Sequence, residues 1–282
     1  MNRARFDPGA FALRAYMWLV LLFIMVPTLI VVPMSFSRAD FLEFPPRSLT
    51  LHWYREFFAD PQWRKAAALS LQVAALTMLC SVPIGTMAAY AIVRGSARFR
   101  PATELLVLGP VIVPHIALAV ACYLFYQRLG VVGSLGGFVA AHTVLALPFV
   151  VFTVSAALSR VDPDLEIAAM SCGASRPRAF LHVTLPLIMP GLLSGALLAF
   201  IISFDEPVVS FFVSSVRQRT LSRRMFEDIE QNLTPVIAAI ATLLTLLSIA
   251  VLVAVALLRV LERRYRGGTA GDTMGGTAGG TR

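Results

Sequence analysis

Residues Ser159–Pro186 read "SRVDPDLEIAAMSCGASRPRAFLHVTLP", far more than a plain link between two apolar runs requires. The segment carries helix punctuation. Asp162 can cap a helix and Pro163 suits its first position, while Asp164 and Glu166 place negative charge where a helix N-terminus favours it. Gly173 then breaks the helix, Ser175 can cap a second one, and Leu185-Pro186 opens an apolar run. On the first short helix Leu165, Ala168, Ala169 and Cys172 share a face, spaced i, i+3, i+4, i+7. Small and mildly apolar, that face suits a groove on another protein. The competing reading is a helix lying flat on a membrane.

Outward from this segment the chain is dominated by six uncharged stretches: Ala15–Ser37, Ala66–Val93, Leu105–Gln127, Leu129–Ser159, Val183–Phe204 and Gln231–Leu258. Each exceeds the roughly 18 residues at which a membrane helix becomes the leading interpretation. Composition agrees: of 282 residues, 57% are hydrophobic and only 14% charged, against about 25% charged in soluble domains. Barrel strands would alternate apolar and polar residues, and these runs do not. Since backbone polar groups must pair internally in lipid, the expectation is an all-α membrane protein with six transmembrane helices. Prolines within the runs (Pro83, Pro110, Pro114, Pro148, Pro190) predict kinks or local breaks.

The net charge of +8 arises from arginines flanking the runs, with Lys65 the only lysine. This pattern sets membrane orientation rather than nucleic-acid binding. With both termini inside, 14 of the 24 basic residues fall on inner segments, and the short "RGSARFRP" loop (Arg94–Pro101) is the clearest contributor. The first run is too long for a signal-peptide core and no cleavage site follows it, so it reads as a retained anchor. Residues 1–65 are thus an anchor helix plus an outer-surface segment containing "LTLHWYREFFADPQW". The main membrane domain spans 66–260, and Gly267–Arg282 is a low-complexity tail expected to be disordered. "RRMFEDIEQ" suits a short surface helix between the last two spans. Cys80, Cys122 and Cys172 show neither metal spacing nor a disulfide framework, and no cofactor is expected.

The connection carries a signature. Ala168-Ala169, three residues, Gly173, nine residues, then Val183-Thr184-Leu185-Pro186 reproduces the spacing of the loop that marks permease subunits of bacterial ABC importers, and the chain resembles that family from about Ala66 to Val260. Ile167 occupies the slot of the motif's glutamate. Glu166 lies one residue earlier, about 100° around the helix. The resemblance implies a type I importer fold in which residues 160–184 form a cytoplasmic coupling helix, with Leu165, Glu166, Ala168, Ala169 and Gly173 engaging a separate ATPase. It also implies the other partners: a dimer of cytoplasmic ATP-binding subunits, a second homologous permease, and a periplasmic substrate-binding protein, all at a bacterial inner membrane. "SFDEPVVSFFVSS" (Ser203–Ser215), followed by "TLSRRMFEDIEQNLTPVIAAIATLL", is similar to the PotC-type permeases of spermidine/putrescine importers.

Asp205 and Glu206 stand directly after an uncharged run, although a charge at the bilayer centre costs about 2.5–3.5 kcal/mol on insertion scales. At 1.5 Å per residue they lie about 30 Å beyond Leu185, near the outer mouth. One reading has them admit a cationic solute to the pathway. The other has them pair with Arg217, Arg219, Arg223 or Arg224. His115 and His142 either line a path or relay protons, or bond to a neighbouring helix.

No Gly-rich nucleotide loop is present, so ATP hydrolysis is expected on a partner and the chain is not itself an enzyme. The function expected is a permease subunit of an ATP-driven polyamine importer. Alternatives are a permease for another small solute, or a stand-alone secondary carrier. An intramembrane hydrolase is disfavoured by the absence of a His-Glu-x-x-His or Gly-x-Ser-x-Gly motif.

Overall fold

The computed structural model describes residues 8–96, 98, 100–215 and 218–250. The C-terminal tail, the end of the last apolar run and Arg217 therefore lie outside the described residues. Among those described, the chain is helical, with only an isolated bridge between Ser37 and Leu49. It divides into two compact units, Asp60–Gln231 and the segments before and after it.

In the flanking unit, α1 (Pro8–Met34) is largely apolar and leaves most of its described side chains exposed, as a lipid-facing anchor would. Next comes α2 (His52–Ala59), which buries Trp53 and Phe57. Trp53 Nε1 donates to the Ser37 carbonyl at 2.8 Å, and the Ser35 and Tyr54 hydroxyls lie 2.6 Å apart. Beyond Asn232 lies α12 (Val236–Ala250), a shorter apolar helix.

The central unit begins with α3 (Pro61–Arg94), capped by Asp60, whose Oδ1 accepts from the Gln62 amide at 2.7 Å. With Pro61 at its first position the helix starts five residues before the apolar run. It packs with α6 (Leu135–Leu158) and α9 (Leu185–Phe204) as a three-helix core of Ala89, Ala146, Val150, Val154, Leu158, Ile188 and Ala199. Glycines permit the close crossings. A Cβ on Gly191 would come within 2.4 Å of Ala157 Cβ, and one on Gly195 within 2.6 Å of Thr153 Oγ1. Gly191 and Gly195 form a small-xxx-small stripe, the arrangement by which membrane helices approach when no hydrophobic gradient drives them together.

The run Leu105–Gln127, expected as one span, is not a straight helix. It folds as α4 (Arg100–Ile112) and α5 (His115–Leu129), bent by 103°. Pro114 supplies the cause: it has no amide hydrogen to continue the ladder, and it pushes Val113 out of the helical region. Pro83, Pro148 and Pro190, by contrast, are accommodated inside continuous helices. Counting α4 and α5 as one span, up to five described helices can cross a membrane, with α12 the shorter sixth apolar element.

The fourth run starts later than its composition indicates. Gly130 ends α5 in the left-handed region (φ 68°), and Ser134 caps α6 by accepting from the Gly137 amide at 3.0 Å. After α6 come α7 (Asp164–Ser171), α8 (Arg176–Ala179) and a π-helical turn, Phe180–Thr184, that runs directly into α9. Finally α10 (Val208–Val213) and α11 (Leu221–Gln231) follow α9; the expected surface helix is α11.

Candidate functional site

Two regions of the central unit gather the chemistry: the α6–α9 connection at one end and the α9–α10 turn at the other.

In the connection, Asp162 Oδ1 accepts from the Asp164 amide at 2.9 Å and Pro163 already has helical angles, which starts α7. Its far end is a closed turn. Gly173, at φ 93°, donates to the Met170 carbonyl (2.9 Å), and Ala174 donates to the Ala169 carbonyl (3.1 Å). This is a Schellman arrangement, for which glycine is the usual residue. Ser175 sits at the start of α8, yet its side chain makes no capping hydrogen bond. No residue of α7 is buried. Leu165, Ile167, Ala168 and Cys172 are exposed, and Ala169 is half-buried.

Glu166 turns the other way. Its Oε2 accepts from the Tyr90 hydroxyl of α3 at 2.8 Å, and its Oε1 accepts from the Thr184 hydroxyl at the foot of α9. Tyr90 stacks edge-on against Phe180, with ring centroids 5.4 Å apart. One turn further along α3, Arg94 donates to the carbonyls of Leu158 (3.4 Å) and Val161. A cavity of about 1030 Å³ lies between α3 and the connection, bordered by Tyr90, Arg94, Glu166, Ile167, Met170 and Phe180. Sequence reasoning missed Tyr90, Arg94 and Thr184, whose partners lie too far along the chain to leave a local signal.

At the opposite end the two neighbouring acids separate in role. Glu206 Oε1 accepts from the amides of Val208 (2.8 Å) and Val209 (3.0 Å), capping α10 across Pro207. Asp205 follows the last turn of α9 and is exposed. Among the described residues neither acid forms an ion pair. Arg219 and Arg223 bind Glu227 at 2.9 and 2.8 Å. Arg224 binds Asp60 at 3.1 Å and lies over the Trp63 ring at 4.4 Å. Burial lowers the Arg224 guanidinium from its usual value, and Asp60 opposes that shift.

Asp205 and Glu206 border a cavity of about 330 Å³, shared with Pro110, His115, Leu145, Phe149 and Ile201. Leu145 lies 13 residues before the end of α6 and Asp205 lies 20 beyond Leu185, so the cavity occupies the region about 20–30 Å from the connection. Both α4 and α9 end there, each bringing the negative end of its helix dipole, although in α9 the Ser203 and Phe204 carbonyls already have His142 and Ser222 as partners. The start of α5 contributes a comparable positive end. With the two carboxylates the balance is negative, which favours a cation.

His142 is fully buried between these elements. Its Nδ1 lies 3.1 Å from the Ser203 carbonyl and 2.9 Å from the Ser203 hydroxyl, and its Nε2 lies 3.1 Å from the Ser210 hydroxyl. A carbonyl can only accept, so Nδ1 carries the hydrogen and Nε2 accepts from Ser210. A neutral ring satisfies the site, which is the neighbour-bonded alternative for this residue. His115, by contrast, opens onto the cavity.

The family described as "Binding-protein-dependent transport system inner membrane component" matches residues 81–267. The spermidine/putrescine transport system permease protein PotC of Haemophilus influenzae is 30% identical, covering 86% of this chain and 94% of PotC. The putrescine transport system permease protein PotI of Escherichia coli is 31% identical, covering 79% of this chain and 81% of PotI. Among solved structures, a bacterial ABC transporter involved in importing the acidic polysaccharide alginate superposes with a TM-score of 0.64 over 92% of this chain and 98% of the other, at 14% identity. That likeness supports the type I importer permease fold.

Proposed function

The chain belongs to the binding-protein-dependent inner membrane components of ABC importers, and from that premise we propose that it conducts polyamines across the membrane as one half of a permease pair. It is a multi-pass inner-membrane protein of a family that works with an ATPase and a substrate-binding protein, and its relatives are permease subunits rather than enzymes. The finer assignments are our reading: both termini cytoplasmic, a dimer of ATP-binding subunits seated on the exposed α7 face, and a second homologous permease completing the pathway.

The observation that carries the polyamine reading is Asp205, which forms no ion pair among the described residues and borders a cavity where α4 and α9 both end. An alkylammonium group meets a carboxylate and carbonyl ends there. Its methylenes meet Val111, Leu145, Phe149 and Ile201, and the Phe149 ring adds a face for a cation. Coupling is assigned to α7: Leu165 and Ala168 face outward, and Gly173 closes the turn that lets α8 and α9 return to the membrane.

The test is uptake into proteoliposomes containing this chain, its permease partner and the ATPase, with loaded receptor outside. ATP-dependent accumulation of radiolabelled putrescine or spermidine is expected. Accumulation of neither, alongside transport of a different solute by the same vesicles, would remove the polyamine assignment and leave the importer.

A further inference from the structure

Glu166 is the acid of α7 that reaches back into the membrane domain. α7 buries no residue and packs on α8 and the π-helical turn, while the 1030 Å³ cavity lies between it and α3. The Tyr90–Glu166 hydrogen bond crosses that gap. The same carboxylate holds Thr184, so one side chain joins α7, α3 and the base of α9. Tyr90 and Arg94 stand four residues apart on α3 and so share a face. That face grips the connection at two points, the Glu166 carboxylate and the Leu158 and Val161 carbonyls.

We propose that the Tyr90–Glu166–Thr184 junction is the link by which displacement of α7 passes into α3 and α9. Glu166 is then a positioning residue within the permease, and the outward contact to the ATPase belongs to the Leu165 and Ala168 surface. This rests on the assignment of α7 as the ATPase-binding element. Charge strengthens the link, because a carboxylate accepting from two hydroxyls binds more tightly than a neutral acceptor. It is also short: with Glu166 bonded to both helices, a shift of α7 cannot be absorbed by a flexible side chain before it reaches the core. The two spans it enters, α3 and α9, cross α6 through glycine contacts that leave little slack, Gly85 against Val150 and Gly191 against Ala157.

The experiment uses the complete transporter in proteoliposomes and reads ATP hydrolysis and solute uptake in the same vesicles. Tyr90→Phe removes one oxygen and keeps the ring against Phe180; Thr184→Val and Glu166→Gln weaken the other arms. Each variant should still co-purify with the ATPase at wild-type stoichiometry and hydrolyse ATP, while solute moved per ATP falls about three- to tenfold. Tyr90→Phe combined with Glu166→Gln should do little more than either alone. An unchanged ratio in Tyr90→Phe and Thr184→Val overturns the proposal. So does loss of the ATPase from Glu166→Gln alone, which would make Glu166 a docking contact. A wild-type chain that holds no ATPase overturns the assignment of α7 and this link together.

Discussion

Asp205 and Glu206 are adjacent in the chain and do different work. Glu206 spends an oxygen on the amides that begin α10, whereas Asp205 is left to the cavity. The sequence presents both as one acidic pair, because the cap appears only once Pro207 and Val208 take helical positions. Substitutions should separate them. Two charges 4 Å apart at an effective dielectric near 20 interact by about 4 kcal/mol. Asp205 is exposed, so solvent screening reduces this to about 1 kcal/mol, roughly fivefold in rate. With receptor and solute saturating, Asp205→Asn should therefore slow uptake about fivefold. Glu206→Gln keeps an acceptor for the cap and should stay within about twofold of wild type, whereas Glu206→Ala should lose about 1 kcal/mol of stability. Equal uptake by the Asn and Gln variants would end the division of roles.

At the scale of elements, local chemistry and packing share control. Asp162, Pro163 and Gly173 act within a few residues, and each is found where its chemistry places it. The α4–α5 bend was legible only as a proline signal: Pro83, Pro148 and Pro190 carry the same signal and leave their helices continuous, so tertiary surroundings choose between a kink and a break. The glycine crossings follow the same logic. A Cβ at Gly191 meets Ala157, whereas one at Gly109 meets nothing within 4 Å. In an isolated helix Gly→Ala gains about 1 kcal/mol. Gly109→Ala should therefore raise the unfolding midpoint in detergent slightly, and Gly191→Ala should lower it by the equivalent of about 1–3 kcal/mol of overpacking. Thermal scans of both variants side by side decide this, and a rise for Gly191→Ala would mean that α6 and α9 are free to move apart.

For the whole molecule the governing matter is which side of the membrane α7 occupies. Cys172 is an exposed thiol capping the end of that helix, Cys122 is half-buried, and Cys80 lies within α3. In a Cys80→Ser, Cys122→Ser background, a membrane-impermeant maleimide should label Cys172 in inside-out vesicles and not in right-side-out ones. Bound ATPase should protect it. Labelling from the outside would place the connection on the wrong face for an ATP-driven importer. The basic residues around "RGSARFRP" argue for the inside by an independent route, since their bias is set during insertion rather than by packing.

By itself the sequence determined that this is a helical membrane protein, where its spans roughly run, and that the connection before α9 is an ordered segment rather than a plain link. Those properties come from composition, from periodicity and from residues that act on their near neighbours. Only the tertiary structure decided that Glu166 faces inward, that Glu206 is a cap while Asp205 is open, that the third run is bent, and that Tyr90 and Arg94 hold the connection. The Glu166, Tyr90 and Arg94 contacts join groups 18 to 76 positions apart, and the bend depends on whether a neighbouring helix leaves room, whereas the Glu206 cap spans only two or three residues and needs α10 to start there. Such meetings are fixed by packing, which no local pattern encodes.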